Sequence, residues 1–199
     1  MSQLLETIKI VDGIPQNLFY HNKRFNETRA ALFSLKEPLD LSRLINVPAE
    51  FQKGIVKCRC IYGKEKIEFE FLPYTIKPLK AVSLVEGGGI QYSYKFADRN
   101  NFEELKKHVS GDDIIITREG MITDASYANL IFFDGARWVT PANPLLKGTM
   151  RQKLLEERKI IQYIITEGMI RRFKSFKLIN AMMDMDESPE LPVAIIKRN

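Results

Sequence analysis

Apolar and polar residues alternate through LLETIKIVDG, and the alternation resumes in IPQNLFYH. This pattern predicts two strands joined at Asp12-Gly13, a dipeptide suited to a type I′ hairpin. The period then lengthens. In HNKRFNETRAALFSL, Phe25, Leu32 and Phe33 mark one side of a helix, while His21, Arg24 and Thr28 are spaced to share another. A short second helix is expected near Leu41 to Ile45. GIVKCRCIYG and EKIEFEFLPY follow as two strands joined at Gly63-Lys64, the second alternating Ile67, Phe69 and Phe71 with Lys66, Glu68 and Glu70. Pro73 and Pro78 interrupt the pattern over Tyr74 to Lys80, which sets a boundary between a small N-terminal α/β domain, 1–76, and a larger domain, 77–199.

Beyond the boundary, Gly87 to Gly89 form a loop and Gln91 to Tyr94 have the composition of a short strand. NFEELKKHVSG reads as a helix with Asn101 and Glu104 as a capping box, Phe102, Leu105 and Val109 as its apolar side, and Gly111 at its end. Ile114 to Ile116, Met121-Ile122, Leu130 to Phe133 and Arg137 to Thr140 read as strands. Their links are a turn at Glu119-Gly120, a polar crossing from Thr123 to Ser126 and a hairpin at Asp134-Gly135. Pro141 and Pro144 break the pattern. A short loop then delivers Gly148-Thr149 to a helix whose apolar positions are Leu154, Leu155 and Ile160. Gln162 to Ile165 are expected as a strand, Glu167 to Arg172 as a short helix, and FKLINAMMDMDE as a strand and loop in which the methionines fill space.

At 45% hydrophobic and 28% charged residues over 199 positions, the composition is that of a folded globular chain, not a disordered one. MSQLLETIKI lacks a basic region followed by a long apolar run, so neither a membrane span nor a leader is expected, and the cytoplasm is the expected location. Cys58 and Cys60, two residues apart on one strand face, are poorly placed for a disulfide. Without nearby histidines they also make a poor zinc site, so they read as buried thiols and no metal is expected. The net charge of +5 is spread among 25 acidic residues, and the aromatics fall on strand core positions. Both features count against a nucleic-acid-binding module; the charge reads first as generic surface charge, and next as suited to a phosphorylated or carboxylate substrate.

Three features carry candidate chemistry. A glycine-initiated helix start at Gly148 leaves N–H groups and a partial positive charge, which suits a phosphate. Asp124 lies between two strands, where a sheet can hold it against a ligand. Lys95 precedes a helix, a place where a lysine is ordinarily just exposed. In order along the chain, HNKR, Lys95, ITDASYANLIFF and TPANPLLKGTMR resemble the signature of the class IV aminotransferases, the fold-type IV enzymes that use pyridoxal 5′-phosphate (PLP). The matching motif positions are Asp124, Asn129, Thr140-Pro141, Leu146, Gly148 and Arg151. YKFADR is similar to the lysine neighbourhood of the aminodeoxychorismate lyase branch, with Asp98-Arg99 in place of Asn-Arg.

The resemblance implies a two-domain α/β (α+β) fold with the cofactor between the domains. It also implies an N-terminal domain shortened by the strands that precede LLETIKI in the family. Lys95 would be the catalytic residue that carries the cofactor. Arg24 and the N–H groups of Gly148, Thr149 and Met150 would hold its phosphate, and Asp124 would partner the pyridine nitrogen, where the family usually has Glu. Asn180 and Ala181, in LINAM, would add backbone contacts to the phosphate. The activity implied is that of a class IV aminotransferase or an aminodeoxychorismate lyase, acting as a homodimer on an amino acid, keto acid or aminodeoxychorismate. A cofactor-free, anion-binding homologue is the alternative; it would retain Arg24 and Gly148 with no need for Lys95 or Asp124.

Overall fold

The computed structural model describes residues 3–198. They form a mixed α/β protein of several sheets and few helices that falls into two compact units. The first holds the chain up to Ile76 together with Tyr94–Asp98, and the second holds Lys77–Ser93 and the chain from Arg99 onward. Lys95 therefore lies in the first unit, although it falls in the sequence range assigned to the C-terminal domain. Backbone pairing is the reason: Leu5 N–H donates to the Lys95 carbonyl (2.8 Å) and Ala97 N–H to that of Gln3 (2.9 Å), and Phe96 bridges Leu4. Among the described residues no helix is long and apolar enough to cross a membrane.

In the first unit, β1 (Leu4–Val11), β2 (Ile14–Pro15), β3 (Ile55–Tyr62) and β4 (Ile67–Pro73) form an antiparallel sheet in the order β2-β1-β3-β4. The β1–β2 turn is the expected one, with Asp12 at φ 47° and Gly13 at φ 79°. Register then sets the core. Leu4, Glu6, Ile8 and Ile10 oppose Tyr62, Cys60, Cys58 and Val56, so one sheet face is apolar except for a single carboxylate. That face packs with α1 (Leu18–Phe33), whose buried residues are His21, Phe25, Thr28, Arg29 and Phe33. His21 and Thr28, expected on a separate face from Phe25, share its buried face, because residues three and four apart stack on a helix. The second helix, α2 (Leu41–Leu44), starts at Asp40, whose side chain accepts from Ser42 N–H (2.9 Å).

The second unit has two sheets. One, β13-β5-β6-β7, is built from β5 (Val82–Glu86), β6 (Asp113–Arg118), β7 (Met121–Ala125) and β13 (Ile196–Arg198). The other, β10-β9-β8-β11-β12, contains β8 (Asn129–Phe133), β9 (Trp138–Pro141), β10 (Ile160–Tyr163), β11 (Ser175–Ile179) and β12 (Leu191–Pro192). Its helices are α3 (Asn100–Lys107) and α4 (Thr149–Glu156). Several expectations are corrected here. The polar crossing is largely strand: β7 runs through Asp124 to Ala125, and the Thr123 hydroxyl donates back to the Ile116 carbonyl (2.7 Å). Gln91 to Tyr94 form no strand, because Tyr92 is buried edge-on against Phe102 of α3. The capping box is not made, since the N-cap is Arg99, two residues ahead of Asn101, and Glu104 pairs instead with Lys107 (2.5 Å). Pro141 ends β9 without breaking it, paired in parallel with Tyr163 at a position where its missing N–H is tolerated. Ile160 opens β10 instead of extending α4.

Candidate active site

Two buried polar clusters, one in each unit, contain residues that the sequence singled out. In the first, Glu6 is fully buried among core side chains, so its charge requires partners. Arg24, one turn along α1 from His21, supplies a two-pronged contact: Nε donates to Oε1 (2.7 Å) and Nη2 to Oε2 (2.6 Å). His21 Nδ1 lies 2.6 Å from Oε2. Burial raises the Glu6 carboxyl, but the Arg24 charge and the bonds from His21 and Arg24 outweigh it and hold it at about 2. An ionised Glu6 only accepts, so His21 Nδ1 carries the proton. Burial keeps that imidazole below its ordinary value, against the pull of Glu6, and the ring is neutral near pH 7. The neighbouring residue on β1, Leu5, holds the backbone of Lys95. One strand thus fixes both Arg24, through a side chain, and Lys95, through the main chain.

In the second unit the cluster centres on Asp124 of β7, 5% exposed. Asn129, at the start of β8, donates Nδ2 to Asp124 Oδ1 (2.6 Å) and to the Leu146 carbonyl (2.8 Å). The N–H of Leu146 donates to Asp124 Oδ2 (2.9 Å). Burial pushes the Asp124 carboxyl up to about 6, opposed by these bonds and by the charge of Arg151. Arg151 itself is buried and spans the loop before α4: Nε donates to the Thr140 hydroxyl (3.3 Å) and Nη2 to the Pro141 carbonyl (2.9 Å).

Gly148 is the N-cap of α4, whose first-turn N–H groups have no acceptor within the helix. A Cβ at Gly148 would come within 2.0 Å of Asn129 Oδ1, so only glycine lets the chain pass this close. Met150 and Leu154 pack with Ile131, Ile160 and Ile179, which anchors α4 and leaves Met150 only its N–H to offer. Asn180 follows β11 directly. Its Oδ1 accepts from Met182 N–H (2.8 Å) and Met183 N–H (3.1 Å), so the side chain is used in shaping the turn that carries Ala181. Asn129 and Arg151 appeared in the sequence only as motif positions. Glu6 gave no signal of its own beyond a charged residue at an inward-facing position of an alternating strand, which is a usable one.

Residues 96–186 match the family described as amino-transferase class IV. An uncharacterized protein of Haemophilus influenzae is 35% identical over 185 residues, 92% of this chain and 98% of that protein. Among solved structures, a proposed 4-amino-4-deoxychorismate lyase from Haemophilus somnus 129PT is 35% identical with a TM-score of 0.83, covering 93% of this chain and 98% of that one. A hypothetical aminotransferase from Mycobacterium tuberculosis, solved in its PLP-bound form, shares the fold at 17% identity and a TM-score of 0.75, over 96% and 80% of the two chains. The chain belongs to the class IV aminotransferase family, whose members are PLP-dependent enzymes of fold type IV.

Proposed function

We propose that this protein binds PLP and uses it for the 4-amino-4-deoxychorismate lyase reaction, removing pyruvate from aminodeoxychorismate to leave an aromatic aminobenzoate. The observation that carries the choice of reaction is the 35% identity to the proposed lyase of Haemophilus somnus over 98% of its length. Transamination of an amino acid is the second reading, supported by the family description. The two reactions use the same residues.

The donor set fits the cofactor. Asp124 is a buried carboxylate with a raised pKa, and a protonated ring nitrogen is the counter-charge that would lower it. The start of α4 offers oriented N–H groups for a phosphate, and Arg24 is a rigidly held cation. Bound PLP supplies an electron sink for charge left at the substrate α-carbon. Lys95 would hold the cofactor through its ε-amine, and that amine, released when the substrate amine takes its place on the cofactor, would be free to accept the α-proton. Asp124 stays ionised to keep the ring nitrogen protonated. The N–H groups of Gly148, Thr149 and Met150, with Arg24, bind the phosphate, joined by backbone groups of Asn180 and Ala181. We further propose a cytoplasmic homodimer.

The test is direct. Purified protein with PLP should be yellow, and borohydride reduction followed by peptide mapping should mark Lys95; a mark elsewhere, or none, refutes the assignment. Aminodeoxychorismate should then yield pyruvate and the aminobenzoate. Release of a keto acid from an amino acid, with no pyruvate from aminodeoxychorismate, selects transamination.

A further inference from the structure

We infer that Asn129 is a positioning residue that ties the Asp124 carboxylate to the N-terminus of α4, and so sets the distance between the group meeting the cofactor ring and the groups meeting its phosphate. The inference rests on the PLP reading above. Its basis is that Asn129 stands where three segments assigned to the cofactor converge. Its Nδ2 bridges Asp124 Oδ1 and the Leu146 carbonyl, while Leu146 N–H returns to Asp124 Oδ2, closing a ring of three polar contacts. The amide orientation is fixed by chemistry, since both neighbours of Nδ2 are acceptors and the reversed amide would set oxygen against oxygen. The other end of the same amide, Oδ1, is the atom on which Gly148 rests. The backbone of Asn129 pairs with Ile179, the residue before Asn180, which fixes the side chain relative to the third segment. At 5% exposure Asn129 has almost no water to replace a lost partner.

A merely structural asparagine would lower stability equally at every pH. A positioning one changes the titration of Asp124 and the binding of PLP together. Removing Nδ2 in Asn129→Ala takes a donor from the carboxylate, so Asp124 should titrate about one pH unit higher, read as a shifted midpoint in the pH dependence of Tm of the protein without PLP. PLP affinity in the same variant should fall about tenfold or more, the scale of one hydrogen bond to a charged group.

Gly148→Ala approaches the contact from the other side. It should weaken PLP to a similar degree in the wild type, yet within about twofold cause no further loss in the Asn129→Ala background, where the obstructing oxygen is gone. Unchanged affinity and midpoint in Asn129→Ala overturn the inference, as do Gly148→Ala losses that multiply independently in the double variant. Should Asn129→Ala fail to fold, Gly148→Ala alone must still move the Asp124 midpoint, and an unmoved midpoint overturns the link. A wild-type protein that takes up no PLP refutes the cofactor reading and the spacing role with it, whereas the midpoint measured without PLP judges the Asn129–Asp124 link separately.

Discussion

Glu6 and Asp124 are both buried carboxyls, and their surroundings shift them in opposite directions. Glu6, paired with Arg24 and His21, titrates at about 2 when folded against 4.5 when unfolded. Its contribution to stability is therefore complete above pH 4.5 and is lost as pH falls toward 2. Asp124 titrates at about 6 against 3.8, so its contribution is complete below 3.8 and is lost as pH rises through 6. Urea unfolding of the protein without PLP should show both limbs. Glu6→Gln should flatten the acid limb while lowering stability at pH 7 by about 1–3 kcal/mol, because the partly buried Arg24 charge loses its carboxylate. Asp124→Asn should flatten the limb between pH 4 and 6, and PLP should flatten it too by supplying a positive partner. An Asp124→Asn profile identical to wild type would show that this carboxyl does not titrate as its burial dictates.

Among the elements, β1 was the most legible and also held the largest surprise. Alternation in LLETIKI located it, the Asp12-Gly13 turn followed from φ preferences, and HNKR placed an arginine on the adjoining helix. What alternation does not encode is main-chain pairing between distant segments, which is why the return of Tyr94–Asp98 to β1 was invisible. The same limit hid the true course of β7: Thr123 and Asp124 look like loop residues until the Thr123 hydroxyl and the Asn129 amide are seen to satisfy them inside a sheet. Arg24 belongs to this scale because a strand and a helix together aim it. Arg24→Ala should weaken PLP by about 1.5–3 kcal/mol while leaving the affinity for phosphate-free pyridoxal much less changed. Equal losses for both ligands in equilibrium titrations would assign Arg24 to the fold alone.

For the whole molecule, the mixed α/β class and the family were readable from four short motifs in order, although no one of them is decisive alone. Side chains left at the surface point further. Phe19 is 70% exposed and Ile14 64%, both in the first unit, and Ile164 is 60% exposed in the second. Large apolar side chains exposed to this degree suit burial against a second copy. Light scattering should give a dimer at working concentrations, and Phe19→Lys should shift the balance toward monomer; a monomer throughout would remove the homodimer from the proposal.

The two thiols of β3 make the first unit its own reporter. Cys58 and Cys60 both face the core, where burial pushes Cys58 up to about 12 and Cys60 higher still. Burial keeps both side chains in the thiol form at neutral pH, not the reactive thiolate, so alkylation must wait for the unit to open. The chain has no other cysteine. Modification by iodoacetamide in native buffer is therefore a clock for the opening of the unit that holds Lys95 and Arg24, and a ligand that closes this unit should slow the clock.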